Sequence, residues 1–198
     1  MDGNERLDGE LLTRLRNEPE LIGTLYERHA QAILWYLARR AGPAAAEDLL
    51  SEVFVAALAA RKRVVAHDSG SALPWLYGIA SNVLRRHLRR GKPHGVRWRQ
   101  DVAMDWSEVD ARIDAQAQRN QLRAALGVLS PSERELLLLV AWEGLTPTEA
   151  AQALGISQGA ARIRLHRARQ RALHALLPAQ PDDLDLISTL LTYEENPT

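Results

Sequence analysis

The spacing of apolar residues predicts helices along most of the chain. Apolar side chains recur every three or four residues in several long segments, whereas the sequence has no sustained alternation of apolar and polar residues and no Asn-Gly hairpin turn. We therefore expect an all-α protein, made of two small helical bundles joined by a flexible linker.

Three long amphipathic helices are predicted in the first half of the chain. The first runs from about 19 to 40 and ends at Gly42, the second begins after Pro43, and the third is entered through Pro74. Residues 1–16 are weakly apolar and predict a short extra helix packed on this bundle. The residues expected in its core are Ile22, Leu25, Tyr26, His29, Ile33, Tyr36, Leu37, Leu49, Leu50, Val53, Phe54, Ala57, Leu76, Ile79, Ala80, Val83 and Leu88.

A change of composition divides the chain in two. The helical period is lost after residue 90, where Gly-Lys-Pro-His-Gly opens a stretch typical of a linker. We expect a first domain at 1–92, a linker at 93–118, a second domain at 119–178 and an acidic tail at 179–198. The tail has two interpretations: a frayed end, or an amphipathic segment that docks on a basic surface.

The second domain carries two helix-start signals of the same kind. In each, a hydroxyl residue is followed by proline and then by glutamate at the third helical position, which is a capping box. A helix over 135–143, stopped by Gly144, lies between them, and a helix with Leu122, Ala125, Leu126 and Leu129 on its inner face precedes them. The two boxes are Ser130-Pro131-Ser132-Glu133 and Thr146-Pro147-Thr148-Glu149.

The second capping box opens a predicted helix-turn-helix. A short helix at 147–153 is followed by a turn at Gly155, which accepts a positive φ, and by a long helix from Ser157 to about Leu176. The residues positioned to close the angle between the helices are Ala150, Leu154, Ile156, Ala161 and Leu165. This motif lays its second helix into the major groove of DNA.

The net charge is zero, but the charge is unevenly distributed. Residues 61–99 hold ten basic side chains and one acid, and residues 157–175 hold five arginines and no acid. A solvent-exposed helix usually carries both acidic and basic side chains, which form ion pairs with each other. The long helix carries arginines and no acid, so we expect it to bind DNA. The candidates for base edges are Gln158, Arg162, Ile163, His166 and Arg167, and those for phosphates are Arg164, Arg169 and Arg171. For His166 a packing or surface role is an equal alternative, and Gln158 has the alternative of a simple helix-start residue.

One face of the third helix has the chemistry of a single-strand binder. An aromatic ring, a small residue, an amide and several arginines follow at spacings of three, four and seven, and so provide stacking, an edge hydrogen bond and phosphate neutralisation. The alternative is a core tryptophan beside solvated arginines, and the pattern alone does not separate the two. The residues are Trp75, Gly78, Asn82, Arg85, Arg86 and Arg89.

Three segments together resemble the extracytoplasmic-function sigma factors of bacterial RNA polymerase. They are AEDLLSEVFVAALAA (46–60), PWLYGIASNVLRRHLRR (74–90) and LSPSERELLLLVAWEGLTPTEAAQALGISQGAARIRLHRARQRAL (129–173). The likeness covers most of residues 17–177, in the family's order. It implies a protein that binds core RNA polymerase and directs it to promoter DNA, as duplex and as non-template single strand, and that is usually covered by an anti-sigma factor.

The resemblance also implies residue roles. Core polymerase contacts fall on Asp48, Ser51 and Glu52, although relatives often have glutamine at the Ser51 position. The minus-10 element is melted by the loop 62–73, which holds Lys62 and Arg63, and by Trp75, Ile79 and Asn82 of the third helix; Arg85, Arg86 and Arg89 join these contacts because they share the face. The minus-35 element is read by Arg162, Ile163, His166 and Arg167, and Gln158, Arg164 and Arg169 join them from their positions on the same helix. Relatives often have a small polar residue at the Ile163 position, so a thymine methyl contact is expected there.

Other classes of protein fit the sequence less well. The chain has no cysteine, no apolar run long enough to span a bilayer and an acidic, polar start, so we expect a cytoplasmic protein without membrane insertion. It lacks the glycine-rich phosphate loop, HExxH and GxSxG motifs of enzymes, and no cofactor or metal is expected. A LuxR-type regulator shares the helix-turn-helix, but it needs an upstream sensory domain, and residues 17–92 show no parallel-sheet pattern.

Overall fold

The structure, a computed structural model, describes residues 8–64, 70–90 and 116–176, with the side chains of the last range from 120 onward. Its regular elements are all helical, and these ranges contain no strand, which confirms the all-α prediction. The α-helices are α1 (Asp8–Leu15), α2 (Ile22–Ala41), α3 (Pro43–Ala60), α4 (Leu73–Arg90), α5 (Gln116–Gly127), α6 (Pro131–Ala141), α7 (Pro147–Leu154) and α8 (Gln158–Leu176). Two 3-10 helices, Pro19–Leu21 and Arg61–Arg63, precede α2 and follow α3.

Some sequence expectations fall outside these ranges. The predicted linker is described only from residue 116, where α5 begins, and the predicted acidic tail 179–198 is not described. The loop predicted at 62–73 is described at its two ends, up to Val64 and from Gly70.

Helices α1 to α4 form the first of two compact units. The three long helices α2, α3 and α4 pack on one another around a shared core. Its largest buried side chains are Leu25, Ile33, Tyr36, Leu37, Leu49, Val53 and Leu76. Three predicted core residues, Ile22, Ile79 and Leu88, are only half-buried. Tyr26 is 46% exposed, contrary to prediction, because it lies at the rim, with its ring edge against Phe54.

The short helix predicted within residues 1–16 is α1. Its side chains Leu12 and Leu15 are 1% and 0% exposed, and the helix contacts α2. Burying two leucines stabilises the unit by several kcal/mol, at roughly 1.5–3 kcal/mol for each side chain. Helix α1 is therefore part of the first unit.

Helices α5, α6 and α8 and the first part of α7, up to Ala151, form the second unit, in which α8 packs on α5 and α6. Both predicted capping boxes are present. Ser130 N donates to Glu133 Oε2 at 3.0 Å and Glu133 N donates to Ser130 Oγ at 3.3 Å. The same pair of bonds joins Thr146 and Glu149 at 2.8 and 3.2 Å. The capping boxes fix where α6 and α7 begin.

Candidate nucleic-acid interface

The helix-turn-helix is formed by α7 and α8 and the three residues between them. Gly155 has a φ of +65°, a conformation that side-chain-bearing residues adopt at a cost. Ser157 caps α8, because its Oγ accepts a hydrogen bond from Ala160 N at 3.2 Å. Of the residues predicted to close the motif, Ala150, Ala161 and Leu165 are buried, and Leu154 and Ile156 are half-buried.

Helix α8 has one buried face and one exposed face. The buried residues Ala161, Leu165, Ala168 and Ala172 follow at intervals of four, three and four, so they lie in one stripe. The opposite face carries exposed side chains, and Ile163, at 57% exposed, lies near its centre. The other exposed residues of α8 predicted to reach DNA are Gln158, Arg162, Arg164, His166 and Arg167.

Two arginines of α8 are less available than the sequence suggested. Arg171 pairs with Glu133 of α6, with Nη1 to the two carboxylate oxygens at 3.0 and 2.9 Å, so a phosphate contact of Arg171 stays a prediction and competes with this ion pair. Arg169 is half-buried, its Nε has no hydrogen-bond partner, and burial lowers its pKa. Both positions flank the buried stripe, and the count of arginines alone did not reveal this.

The polar face of α4 carries a chain of hydrogen bonds. Arg85 Nη1 donates to Asn82 Oδ1 at 3.0 Å, its Nη2 donates to Ser81 Oγ at 3.3 Å, and Arg89 Nε donates to Arg85 O at 3.3 Å. The bond from Arg85 orients the side-chain amide of Asn82, whose oxygen accepts it. Trp75 is half-buried, so it is neither a fully buried core residue nor a fully exposed stacking residue, the two alternatives that its spacing left open.

The three predicted polymerase contacts all lie on the exposed side of α3. Ser51 Oγ donates to Glu47 O at 3.3 Å, within the helix. Glu52 Oε2 accepts from Arg86 Nη2 at 3.1 Å, so a residue predicted to bind polymerase is paired with one predicted to bind DNA. Asp48 is exposed, and Val55, one turn beyond Ser51 and Glu52, is 70% exposed on the same face. Val55 was not among the predicted contacts, although its spacing of seven from Asp48 already places it on this face.

The predicted basic residues before α4 are also accessible. Lys62 and Arg63 are exposed in the 3-10 helix Arg61–Arg63. Within the described ranges, no cluster of three His, Cys, Asp or Glu side chains has the arrangement of a metal site. The helices of the same ranges are too polar or too short to cross a membrane.

Comparison with known proteins places both units in one family. Residues 25–93 match the family Sigma-70 region 2, and residues 119–171 match the family Sigma-70, region 4. The chain is 36% identical over 152 residues to the RNA polymerase sigma factor CarQ of Myxococcus xanthus, across 74% of this chain and 84% of that protein. It is 29% identical over 189 residues to the ECF RNA polymerase sigma factor SigD of Mycobacterium tuberculosis, across 88% of this chain and 86% of SigD. The chain belongs to the extracytoplasmic-function sigma factors of the sigma-70 family.

A solved structure gives the same result. The sigma factor resembles CnrH, solved in complex with the cytosolic domain of CnrY, with a TM-score of 0.58 and 26% identity over 87% of this chain and 99% of that one. The match of its first unit to region 2 favours a sigma factor over the LuxR-type regulator that the helix-turn-helix alone left open. This sigma factor therefore binds core RNA polymerase and directs transcription initiation at promoters. Sigma factors are initiation factors, not enzymes.

Proposed function

We propose that this sigma factor reads a promoter with two separate surfaces. The first domain, 1–92, binds core polymerase through α3 and opens the minus-10 element with α4. The second domain, 119–178, binds the minus-35 element as duplex through α8. The observation that carries this proposal is the exposed, acid-free face of α8, combined with a hydrogen-bonded polar face on α4. The sigma factor acts in the cytoplasm, where the chromosome lies, and has no catalytic role of its own.

The upstream element is read from the outward face of α8. Arg162 and Arg167 reach base edges, where a well-aligned bidentate contact discriminates by about 1–3 kcal/mol. Ile163 contacts a thymine methyl, because a half-exposed apolar side chain on this face gains by covering a methyl group. Arg164 neutralises a phosphate, and Gln158, His166 and Arg169 complete the same surface.

The downstream element is opened by the polar face of α4. Trp75 stacks on an unpaired base, an interaction worth about 1–3 kcal/mol in single-strand sites. Asn82 donates its amide nitrogen to a base edge, with its orientation set by Arg85. The phosphates of the strand are neutralised by Lys62, Arg63, Arg85, Arg86 and Arg89, and Ile79 supports the ring of Trp75 from the next turn.

Core polymerase binds the acidic face of α3. The pair between Glu52 and Arg86 joins two side chains that are 46% and 49% exposed, so breaking it costs little. Glu52 is therefore free to exchange Arg86 for a basic partner on polymerase, while Arg86 turns to DNA. Asp48 and Ser51 complete the contact, and we add Val55 as its apolar member.

An anti-sigma partner is part of this proposal. CnrH, which this chain resembles along most of its length, was solved with the cytosolic domain of CnrY. The surfaces for polymerase and DNA described above are exposed in this chain, and so are open to a protein that covers them.

The test separates the two DNA surfaces in purified holoenzyme. Arg162→Ala with Arg167→Ala should weaken binding to the upstream duplex, whereas Trp75→Ala with Asn82→Ala should spare duplex binding and reduce permanganate reactivity of promoter thymines. Trp35→Ala is the matched control, because Trp35 is an exposed tryptophan on α2, opposite the buried stripe of Ile33 and Leu37. Unchanged thymine reactivity in the Trp75 and Asn82 variants would show that α4 has been misassigned.

A further inference from the structure

Helix α1 lies outside the region matched to the family, which begins at residue 25. Asp8 of α1 and Arg16, the residue after it, nevertheless bond to the two described ends of the connection between the 3-10 helix Arg61–Arg63 and α4. Arg16, directly after α1, donates from Nη2 to the carbonyl oxygen of Val64, which follows the 3-10 helix Arg61–Arg63. At the other end, Asp8 Oδ2 accepts a hydrogen bond from Ala72 N at 3.1 Å. Ala72 immediately precedes α4.

Asp8 is a fully buried carboxylate with three donors. His29 Nε2 donates to Oδ2 at 2.7 Å and Arg28 Nη1 donates to Oδ1 at 3.0 Å, in addition to the bond from Ala72 N. Burial alone would raise the pKa of Asp8, but the hydrogen bonds from His29 and Ala72 outweigh it and lower the pKa. Asp8 is therefore a fixed negative charge at neutral pH.

The carboxylate of Asp8 makes the hydrogen bond that a glutamate makes in a capping box. Ala72 is the N-cap residue of α4, since its carbonyl oxygen accepts from Leu76 N at 3.0 Å. The methyl side chain of Ala72 cannot accept a hydrogen bond, and Ser71 Oγ accepts from Leu73 N, at 3.2 Å. In α6 and α7 the glutamate at the third helical position bonds back to the N-cap backbone N–H. In α4 that third position is Trp75, and Asp8 makes the bond from another helix.

We propose that α1 is a positioning element for promoter opening, in which Asp8 caps α4 from a distance and Arg16 secures the preceding 3-10 helix. Because Asp8 makes this bond, α4 does not need a glutamate at its third helical position. Trp75 occupies that position instead and stacks on the opened strand. The two bonds also fix Lys62 and Arg63 relative to Trp75. This inference rests on the proposed function of α4.

The first test compares Arg16→Ala with Arg14→Ala in holoenzyme. Both variants remove one positive charge from the same segment, but Arg14 pairs with Glu18 on the surface, whereas Arg16 bonds to Val64. We expect Arg16→Ala to slow thymine exposure at the promoter by about five-fold or more, the effect of one charge-assisted hydrogen bond, and Arg14→Ala to leave it within two-fold. Core affinity and upstream duplex binding should stay within two-fold for both.

The second test separates capping from strand capture. Asp8→Asn keeps the shape of the side chain and removes its charge, so it should lower the melting temperature and slow opening. Adding Trp75→Glu to it supplies a local capping glutamate, and this double variant should regain melting temperature while opening stays impaired.

Two results would overturn the inference: equal opening rates for Arg16→Ala and Arg14→Ala, or no regain of stability in the double variant. Failure of the proposed function looks different, because wild-type and Trp75→Ala holoenzymes would then expose promoter thymines equally.

Discussion

Glu133 stabilises two helices of the second unit at once. Its carboxylate accepts Ser130 N and Ser130 Oγ at 3.0 and 2.7 Å, which starts α6, and it pairs with Arg171 of α8. The side chain of Glu133 is 9% exposed and that of Arg171 is 56% exposed. Glu133→Ala removes the carboxylate half of the capping box together with the interhelical pair, while the backbone N–H of residue 133 keeps its bond to Ser130 Oγ. Arg171→Ala removes only the pair.

The size of the effect follows from these exposures. Losing the hydrogen bonds between the Glu133 carboxylate and Ser130 costs about 1 kcal/mol. The pair with the exposed Arg171 adds roughly 0.5–1 kcal/mol, because solvent screens it. For a unit of this size, each kcal/mol lowers the melting temperature by about 4–8 °C. Glu133→Ala should therefore lower the melting temperature of the second unit by about 10 °C, and Arg171→Ala by less than half of that.

The same site predicts a pH dependence. Burial raises the pKa of Glu133, but the hydrogen bonds from Ser130 and the charge of Arg171 outweigh it, so its pKa lies below the ordinary 4.5. The stabilisation is therefore complete above pH 4.5 and is lost as the pH falls through the depressed pKa. Glu133→Gln should flatten this part of the stability profile.

The assay is thermal unfolding by circular dichroism from pH 3 to 7, with hydrogen exchange of α6 and α8 amides to localise the change. Glu133→Ala should increase exchange in both helices and leave α2 and α3 protected. If Glu133→Ala unfolded within 2 °C of the wild type, or no earlier than Arg171→Ala, the capping explanation of α6 would be refuted.

Three further perturbations test other parts of the molecule. Asp8→Ala should lower the free energy of unfolding by about 3–5 kcal/mol, measured in urea, because it leaves His29 and Arg28 without their buried partner. In the wild type, the stabilisation that Asp8 provides is lost as the pH falls through its depressed pKa, and an acid titration detects this loss. Gly155→Ala should cost about 1–2 kcal/mol by thermal unfolding, since an added Cβ meets no atom within 4 Å and only the positive φ opposes it. Glu52→Gln should change stability by less than about 1 kcal/mol yet weaken core polymerase binding several-fold in a fluorescence titration.

Local signals in the sequence predicted most of the fold. Helical periodicity located α2, α3 and α4, and both capping boxes form the hydrogen bonds that their residues suggested. These features are set within one or two turns of helix, so one segment contains all the information needed. The positive φ of Gly155 follows from the same kind of local requirement.

Local sequence signals did not predict the contacts between segments that are distant in the chain. Asp8 reaches Ala72 across 64 positions, and Arg171 reaches Glu133 across 38. Periodicity assigns a residue to a face, but it does not say which side chain from another helix meets the edge of that face. For the same reason the partial burial of Arg169 and the exposure of Tyr26 were not predicted.

We propose above that one chain reads two promoter elements through two surfaces while it is bound to the same polymerase. A decisive experiment inserts about five base pairs, half a turn of duplex, between the minus-35 and minus-10 elements of a promoter that this holoenzyme opens. We expect that wild-type holoenzyme still binds the upstream element of the lengthened promoter but no longer exposes thymines in its minus-10 element. Equal thymine exposure on the original and the lengthened promoter would contradict it.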